Sequence, residues 1–459
     1  MKKLFLVIAA CCVMLSCEKE EIVKSKPDNQ VVEEMTHSTD VLPLPKGIST
    51  VASKGGVEVG GDTVALATTA VISPIIFIPE GSEITSFQVK QVELALENVR
   101  FWYQKQLPNK DLKWHKLSIM KGAKTAEHYL QNNNIWYEAP QEIEAQYGWN
   151  PWTTTNGLNH VTLLLGRDLL GWAGGNGTVE GKGLAILGLE SLIELGKVSH
   201  EWWGTQEMWH GTAIHELGHA LTLPHSDDPQ SIMNFHGGYR YKYLTPGEKA
   251  QVEGTRATEV KGPMPMVRWS FDEVIDHIVL DETNNNVSLI LQNGAKLNQG
   301  LIETAGNFNG ISAMARTETN ACNVNNELTL SAWVNPKDVQ KAQTIVNKWY
   351  TPDSYILMIR NGFYEFAVRF DDGTIAAVTT PAVAGEWAHV AAVFNGHAVS
   401  LYVNGQQRAV KFVSGKRLAQ SNMPVSVGNH PTWNAFTGQI DMITIYDRAL
   451  PRNKIFTNY

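Results

Sequence analysis

Three histidines and a glutamate fall within eleven residues: His215-Glu216-Leu217-Gly218-His219-Ala220-Leu221-Thr222-Leu223-Pro224-His225. Two histidines four apart on a helix lie about one turn apart on the same face, so both rings can reach one metal ion. Glu216, beside the first of them, can take a proton from a water at that ion. Pro224 predicts a helix stop, because the residue before a proline avoids the α region. His225, beyond the stop, can fold back as the third ligand. Three neutral imidazoles leave one position of a tetrahedral Zn2+ open, as a catalytic site requires. A metal in that setting acidifies water and polarises a carbonyl, and Glu216 can carry the proton to a leaving amine. The chemistry implied is amide-bond hydrolysis. A carboxylate from a later helix, Glu248 or Glu253, is the alternative third ligand.

These side chains need a helix under them, and residues 209–221 can supply it. Upstream, Val71-Ile72-Ser73-Pro74-Ile75-Ile76-Phe77-Ile78 reads as a strand whose proline suits an edge position. Thr85 or Ser86 can cap a following helix at 86–106, where Val89, Val92, Leu96, Val99 and Tyr103 recur at helical spacing. Residues 114–120 and 160–165 read as further strands. Strands mixed with long helices predict an α/β layer up to about residue 258.

The zinc motif resembles that of the metzincin peptidases, whose pattern is H-E-x-x-H-x-x-G-x-x-H followed by a Met-turn. Ser231-Ile232-Met233-Asn234 is similar to that turn, with Met233 as the methionine beneath the metal. The short interval from His225, the His225-Ser226 pair and the Thr245-Pro246 start of a final helix resemble the matrixin branch in particular. The resemblance covers residues 71–258. It implies a mixed twisted sheet with three helices, one catalytic zinc, and an edge strand at Gly183-Leu184-Ala185-Ile186-Leu187-Gly188 against which a peptide pairs. Two departures bear on the site. Thr222 stands where the pattern has glycine, so the turn must be made otherwise, with help from Pro224. There is also no cysteine between residues 18 and 321, which removes the thiol latch of many matrixins. The loop 166–182 has no histidine and only Asp168 and Glu180 as acids, so the family's structural zinc and calcium sites are not carried over.

Weaker signals surround the motif. The glycine-rich 171–177 lacks the ending of a phosphate loop and reads as a turn before the edge strand. Trp202, Trp203 and Trp209 can line a cleft or, more simply, pack the approach to the motif helix. Tyr239, Tyr241 and Tyr243 each could offer a hydroxyl to a tetrahedral intermediate, and nothing in the spacing selects one. His200, His210 and His236 read as ordinary or supporting polar residues.

After Lys261-Gly262-Pro263-Met264-Pro265 the texture changes to short alternating runs at 327–334, 355–359, 364–370, 387–394, 399–403, 425–427 and 440–446. Asn361-Gly362, Asp372-Gly373, Asn395-Gly396 and Asn404-Gly405 separate them as turns, which predicts an all-β jelly-roll sandwich. Leu328-Thr329-Leu330-Ser331-Ala332-Trp333-Val334, Trp387-Ala388-His389-Val390-Ala391, Leu401-Tyr402-Val403-Asn404-Gly405 and Gly438-Gln439-Ile440-Asp441, with the opening Trp269-Ser270-Phe271-Asp272, resemble laminin-G-like, concanavalin-A-like domains over residues 267–459. That resemblance implies a glycan or protein ligand, with Asp272 and Asp441 as candidate Ca2+ ligands. A plain spacer or stabiliser is the competing reading.

The N-terminus reads as a signal. Lys2 and Lys3 precede an apolar run to Leu15, too short for a membrane span, which ends in Leu15-Ser16-Cys17 before an acidic tetrad. This resembles a bacterial lipobox with Cys17 as the lipid-bearing residue; Ile8-Ala9-Ala10-Cys11 competes with it, and a plain secretory signal is the alternative. The organisation expected is then signal 1–16, tether or short pro-segment 17–70, peptidase 71–258, linker 259–266 and sandwich 267–459. Cys322 would be the one mature cysteine besides Cys17, an inert thiol with no disulfide to form.

Among 459 residues, 38 Lys and Arg face 46 Asp and Glu, a net charge of −8 that lacks the basic footprint of nucleic-acid binding. The expectation is a surface-anchored zinc endopeptidase on a bacterial outer membrane, meeting extracellular protein or glycoprotein. It touches the membrane only through its N-terminal lipid. The alternative is a glycan- or protein-binding lipoprotein whose protease-like domain is not catalytic.

Overall fold

A run of β-branched and aromatic residues forms β1 (Thr69–Glu80), buried along most of its length. In the computed structural model, which describes residues 69–169, 173–194, 205–430 and 435–455, β1 is an inner strand. It pairs in parallel with β3 (Ser118–Thr125) and with β4 (Leu158–Gly166). The proline at 74 is tolerated because β3 joins only at Ile75; before it, Ile72 bonds to the chain at Lys113 and His115. The edge position expected for Pro74 is therefore replaced by a gap in the ladder, which leaves no N–H wanting there. β2 (Lys110–Leu112) lies apart from this sheet and pairs with β7 (Thr258–Val260). β5 (Ala173–Gly177) runs antiparallel to β6 (Gly183–Gly188), and the sheet order is β3-β1-β4-β6-β5.

Alternate residues of the central strands serve two cores. Ile72, Ile76, Val161, Leu163 and Leu165 face α1 (Ser86–Gln106) and the motif helix. Ile75, Phe77 and Leu164 face Ile135, Ala139 and Ile143 on the other side. The latter come from α3 (Asn134–Tyr147), which follows the short α2 (Ala126–Leu130) and has Pro140 inside it. That proline hides the helix from a reading of periodicity. Thr85 caps α1, its hydroxyl taking the Gln88 N–H at 3.2 Å while Gln88 Oε1 takes the Thr85 N–H at 2.9 Å.

Beyond residue 266 the described residues form an all-β, jelly-roll-like sandwich of a nine-stranded and an eight-stranded sheet, so the described chain is mostly β. Leu328–Pro336 pairs with both Ala388–Phe394 and Thr437–Tyr446 at the heart of the eight-stranded sheet. Trp269, Phe308, Leu330, Tyr355 and Phe366 fill the space between the sheets. Asn361-Gly362 and Asn404-Gly405 have positive φ at both residues, as tight hairpin turns require. Among the described residues no helix is long and apolar enough to cross a membrane.

The expected linker at 259–266 is instead pinned to both sides. Lys261 Nζ donates to the Gln104 carbonyl at 2.7 Å, Gly262 N–H to Asp111 Oδ2 at 2.7 Å, and Met266 N–H to the Ile445 carbonyl at 2.7 Å. The sandwich also closes the outer face of α1. Leu301, Ile302, Ala305, Trp333, Trp387 and Met442 belong to the same apolar cluster as α1 and the motif helix. Gln91 Nε2 reaches the Leu301 carbonyl at 2.9 Å, and Arg268 reaches Asn98 Oδ1 at 2.7 Å. Proline- and glycine-rich composition predicts a bend here, and it cannot report that both neighbours bond to the bend.

Candidate metal centre

The motif helix, α5 (Gln206–Ala220), starts three residues before the predicted 209 because Thr205 caps it, accepting from Met208 N–H at 3.1 Å. Before it comes the single turn α4 (Glu190–Ile193), whose Leu192 carbonyl takes Gln206 Nε2 at 2.6 Å. Tyr103 ties α5 to α1 through a 2.8 Å bond from its hydroxyl to the Ile214 carbonyl. Trp209 ties it to the sheet, Nε1 to the Gly188 carbonyl at 2.9 Å. Trp209 is thus buried packing and not cleft lining.

At its C-terminal end α5 closes in a Schellman turn: Thr222 N–H bonds to the His219 carbonyl and Leu223 N–H to the Gly218 carbonyl, both at 2.9 Å. The residue in the left-handed position of that turn is Thr222 itself, at φ 80. The expectation that the turn is made some other way is corrected, since threonine adopts the glycine conformation. Gln251 Nε2, from α6 (Pro246–Gly254), bonds to the Thr222 carbonyl at 2.8 Å and to its hydroxyl at 3.0 Å.

The structure brings His215, His219 and His225 together. His219 Nε2 lies 3.0 Å from His215 Nε2 and 3.3 Å from His225 Nε2. Nδ1 of His215 is 2.8 Å from the Ile232 carbonyl, and Nδ1 of His219 is 2.7 Å from the Leu223 carbonyl. A carbonyl can only accept, so Nδ1 carries the proton in both rings and each Nε2 presents a lone pair to the common point. Facing lone pairs repel unless a cation lies between them. Two nitrogens bound to zinc at about 2.0–2.1 Å in tetrahedral geometry sit roughly 3.3 Å apart, so the spacing fits that ion. Among the described residues this is the only group of three or more His, Cys, Asp or Glu side chains with ligating atoms all within 4.8 Å. Burial holds His215 at about 4 and lowers His219 too, which keeps both rings neutral. The same burial raises the Glu216 carboxyl to about 7.

Met233 is fully buried against Gly218, where any Cβ would overlap its sulfur. Its turn is anchored twice. Ser231 Oγ donates to the Glu248 carboxylate at 2.9 Å, and Asn234 Nδ2 donates to the Ser226 carbonyl at 2.7 Å. Glu248 also takes the Thr245 N–H at 2.7 Å, and Glu253 takes Asn109 and Lys110 N–H groups at 2.7 and 3.0 Å. Both carboxylates are engaged away from the imidazoles, and neither is in the ligating group.

The edge strand is the clearest correction. Gly183–Gly188 is an inner strand between β4 and β5, and the edge is β5, within the stretch read as a turn. Its glycines are needed because β5 lies on the backbone of α5. A Cβ at Gly175 would overlap the Glu216 carbonyl oxygen, and one at Gly177 the Ala220 carbonyl oxygen. Alternate glycines two apart were the available signal, and they read as a turn because glycine is also the commonest turn residue.

Tyr239 is buried and stacks on His210, Tyr241 is exposed, and the Tyr243 hydroxyl donates to Asp228 at 2.7 Å. His210 Nδ1 bonds to the Gln206 carbonyl at 2.7 Å, while the His236 ring stands 5.1 Å from that of His215. Asp272 and Asp441 lie buried at the junction of the two halves, not on an open rim. Asp272 takes the Thr304 N–H at 2.9 Å and stands 3.5 Å from Arg240, while Asp441 takes the Met442 N–H at 2.7 Å. Burial pushes the Cys322 thiol up to about 12, so it is inert. Cys11, Cys17, residues 17–68, Trp202, Trp203 and His200 lie outside the described residues.

Residues 309–456 match the family model described as the concanavalin A-like lectin/glucanases superfamily. The C-terminal region is a laminin-G-like β-sandwich. Among solved structures, the chain is similar to the binding domain of Paraclostridial Mosquitocidal Protein 1, at 17% identity and a TM-score of 0.37 over 42% of this chain and 51% of that one. It is also similar to the receptor-binding domain of botulinum neurotoxin D, at 15% identity and a TM-score of 0.37 over 42% and 51%. The binding domain of botulinum neurotoxin serotype G follows at 12%, 0.36, 42% and 50%. The chain thus spans about half the length of the solved structures it matches. No curated protein sequence matches it.

Proposed function

We propose that the chain is a zinc-dependent endopeptidase of the metzincin, matrixin-like kind, in which the laminin-G-like sandwich is an integral neighbour of the catalytic half. The observation that carries this reading is the convergence of three imidazole nitrogens, two of them held as lone pairs by carbonyl bonds at Nδ1, beside a buried glutamate. Zinc held by His215, His219 and His225 would acidify a water and polarise the scissile carbonyl. Glu216 takes the proton of the attacking water and passes it to the leaving amine. Met233 fills the floor of the site at Gly218. Along the outer side of β5 no further strand is paired among the described residues, so an extended peptide can add there as a strand. Cys17 would carry lipid and hold the enzyme on an outer membrane, where the substrates are extracellular proteins or glycoproteins.

The family match over residues 309–456 favours a second role, the binding of a glycan or protein ligand by the sandwich. Taken alone it supports the rival reading, a binding lipoprotein with a silent protease-like half. One experiment separates them: zinc content and cleavage of an unbiased peptide library by the parent chain, Glu216→Gln and His225→Ala. The expected result is one zinc per chain and cleavage in the parent. Glu216→Gln should keep the zinc and lose activity by roughly 10²–10⁴-fold. His225→Ala should lose both. A parent that holds no zinc and cleaves nothing sinks the enzyme.

A further inference from the structure

We infer that Gln251 is a positioning residue of the metal centre, acting by clamping Thr222 in the left-handed conformation that sets His219 and His225. The inference rests on the zinc-site reading and deepens it. Thr222 is β-branched, and a β-branched residue at positive φ is a backbone outlier that persists only when its surroundings hold it. The holding group is the Gln251 side chain. A single amide nitrogen, Gln251 Nε2, donates to both the carbonyl and the hydroxyl of Thr222, at 2.8 and 3.0 Å. A glycine there would have no hydroxyl to hold and would need no clamp.

What the turn delivers is specific. Leu223, the next residue, turns its carbonyl onto His219 Nδ1 at 2.7 Å, fixing the tautomer and the direction of Nε2. Two residues further, His225 arrives 3.3 Å from His219 Nε2. If Thr222 relaxed to negative φ, the Leu223 carbonyl would leave His219 and the chain carrying His225 would swing out. Gln251 can serve as a fixed post because α6 is itself secured, by the Thr245–Glu248 capping box and by the Ser231 to Glu248 bond.

The test is a double-mutant cycle on the full chain, reading zinc affinity by competition with a chromophoric chelator and melting temperature in parallel. Gln251→Ala is expected to weaken zinc binding roughly tenfold. Thr222→Gly should hold zinc as the parent does, and Thr222→Gly with Gln251→Ala should recover the parent affinity. A glutamine that merely stabilises α6 would lower the melting temperature of both Gln251→Ala proteins and would not be rescued by glycine at 222. Parental zinc affinity in Gln251→Ala, or no recovery in the double variant, would overturn the clamp while leaving the metal site standing. A parent chain that takes up no zinc would overturn the metal centre, and the clamp with it.

Discussion

Two places in this molecule crowd polar groups of one kind, and they resolve the crowding in opposite ways. At the metal centre three imidazole nitrogens meet, two of them bare because their rings carry the proton at Nδ1, and among the described residues no carboxylate or thiol joins the cluster. At the junction of the two halves the carboxylates of Asp272, Asp441 and Glu303 meet in a largely buried region, and there the chain brings its own cation. Arg240 lies 2.5 Å from Glu303 and 3.5 Å from Asp272. Burial and mutual repulsion hold Asp272 and Asp441 well above the usual carboxylate range, so protons complete the neutralisation. The contrast separates a site awaiting something from outside from a site that is finished. Crowding alone does not mark a functional centre; crowding without an internal answer does.

The sharpest way to break the comparison is to remove one region. A chain ending after Pro263 would strip α1 of Leu301, Ile302, Trp333, Trp387 and Met442, and would take the Leu301 carbonyl from Gln91 and the Arg268 guanidinium from Asn98. At roughly 1.5 kcal/mol or more for each large apolar side chain, the loss rivals a domain's whole stability of about 5–15 kcal/mol. The truncated protein is expected to fail to fold, as circular dichroism and gel filtration would show. A folded, zinc-binding fragment would mean that the sandwich is a detachable module after all. Next in size is Gly175→Val, which drives a side chain into the backbone of α5 at Glu216. Overpacking of this kind costs about 1–3 kcal/mol, and its effect falls on the helix that carries the catalytic glutamate. Loss of cleavage together with a lower melting temperature is expected; unchanged activity would show that β5 is free to move off the helix.

How much of this was legible differs between the two places for a physical reason. The metal motif lies within eleven residues because helix periodicity puts i and i+4 on one face, so sequence spacing translates directly into space. The cap at Thr85, the Thr245-Pro246 helix start and the hairpins at Asn361 and Asn404 were legible on the same local grounds. β5 was not, because Gly175 and Gly177 answer to helix carbonyls, those of Glu216 and Ala220, more than forty residues away. Nor was the left-handed Thr222, whose holder Gln251 sits twenty-nine residues downstream. The junction was wholly illegible. Arg240, Asp272, Glu303 and Asp441 are scattered over two hundred residues, and only the docking of the sandwich on α1 assembles them.

The smallest effect expected is also the one that tests whether the junction is finished. A carboxyl whose folded pKa is raised above its unfolded value holds its proton more tightly in the native state. Its contribution to stability is then full below the unfolded pKa and is lost as the pH rises through the folded one. Asp441 is such a group, raised by burial first and by the charge of Asp272 second. Asp441→Asn keeps the oxygen that accepts the Met442 N–H and removes the titration. The variant should therefore match the parent in melting temperature near pH 4 and exceed it modestly near pH 8, with a flatter profile between. Zinc content should not change, since the imidazole cluster lies apart from this group. A variant less stable than the parent at every pH would mean that Asp441 needs its negative charge, and that the junction, like the metal centre, has a cation still to receive.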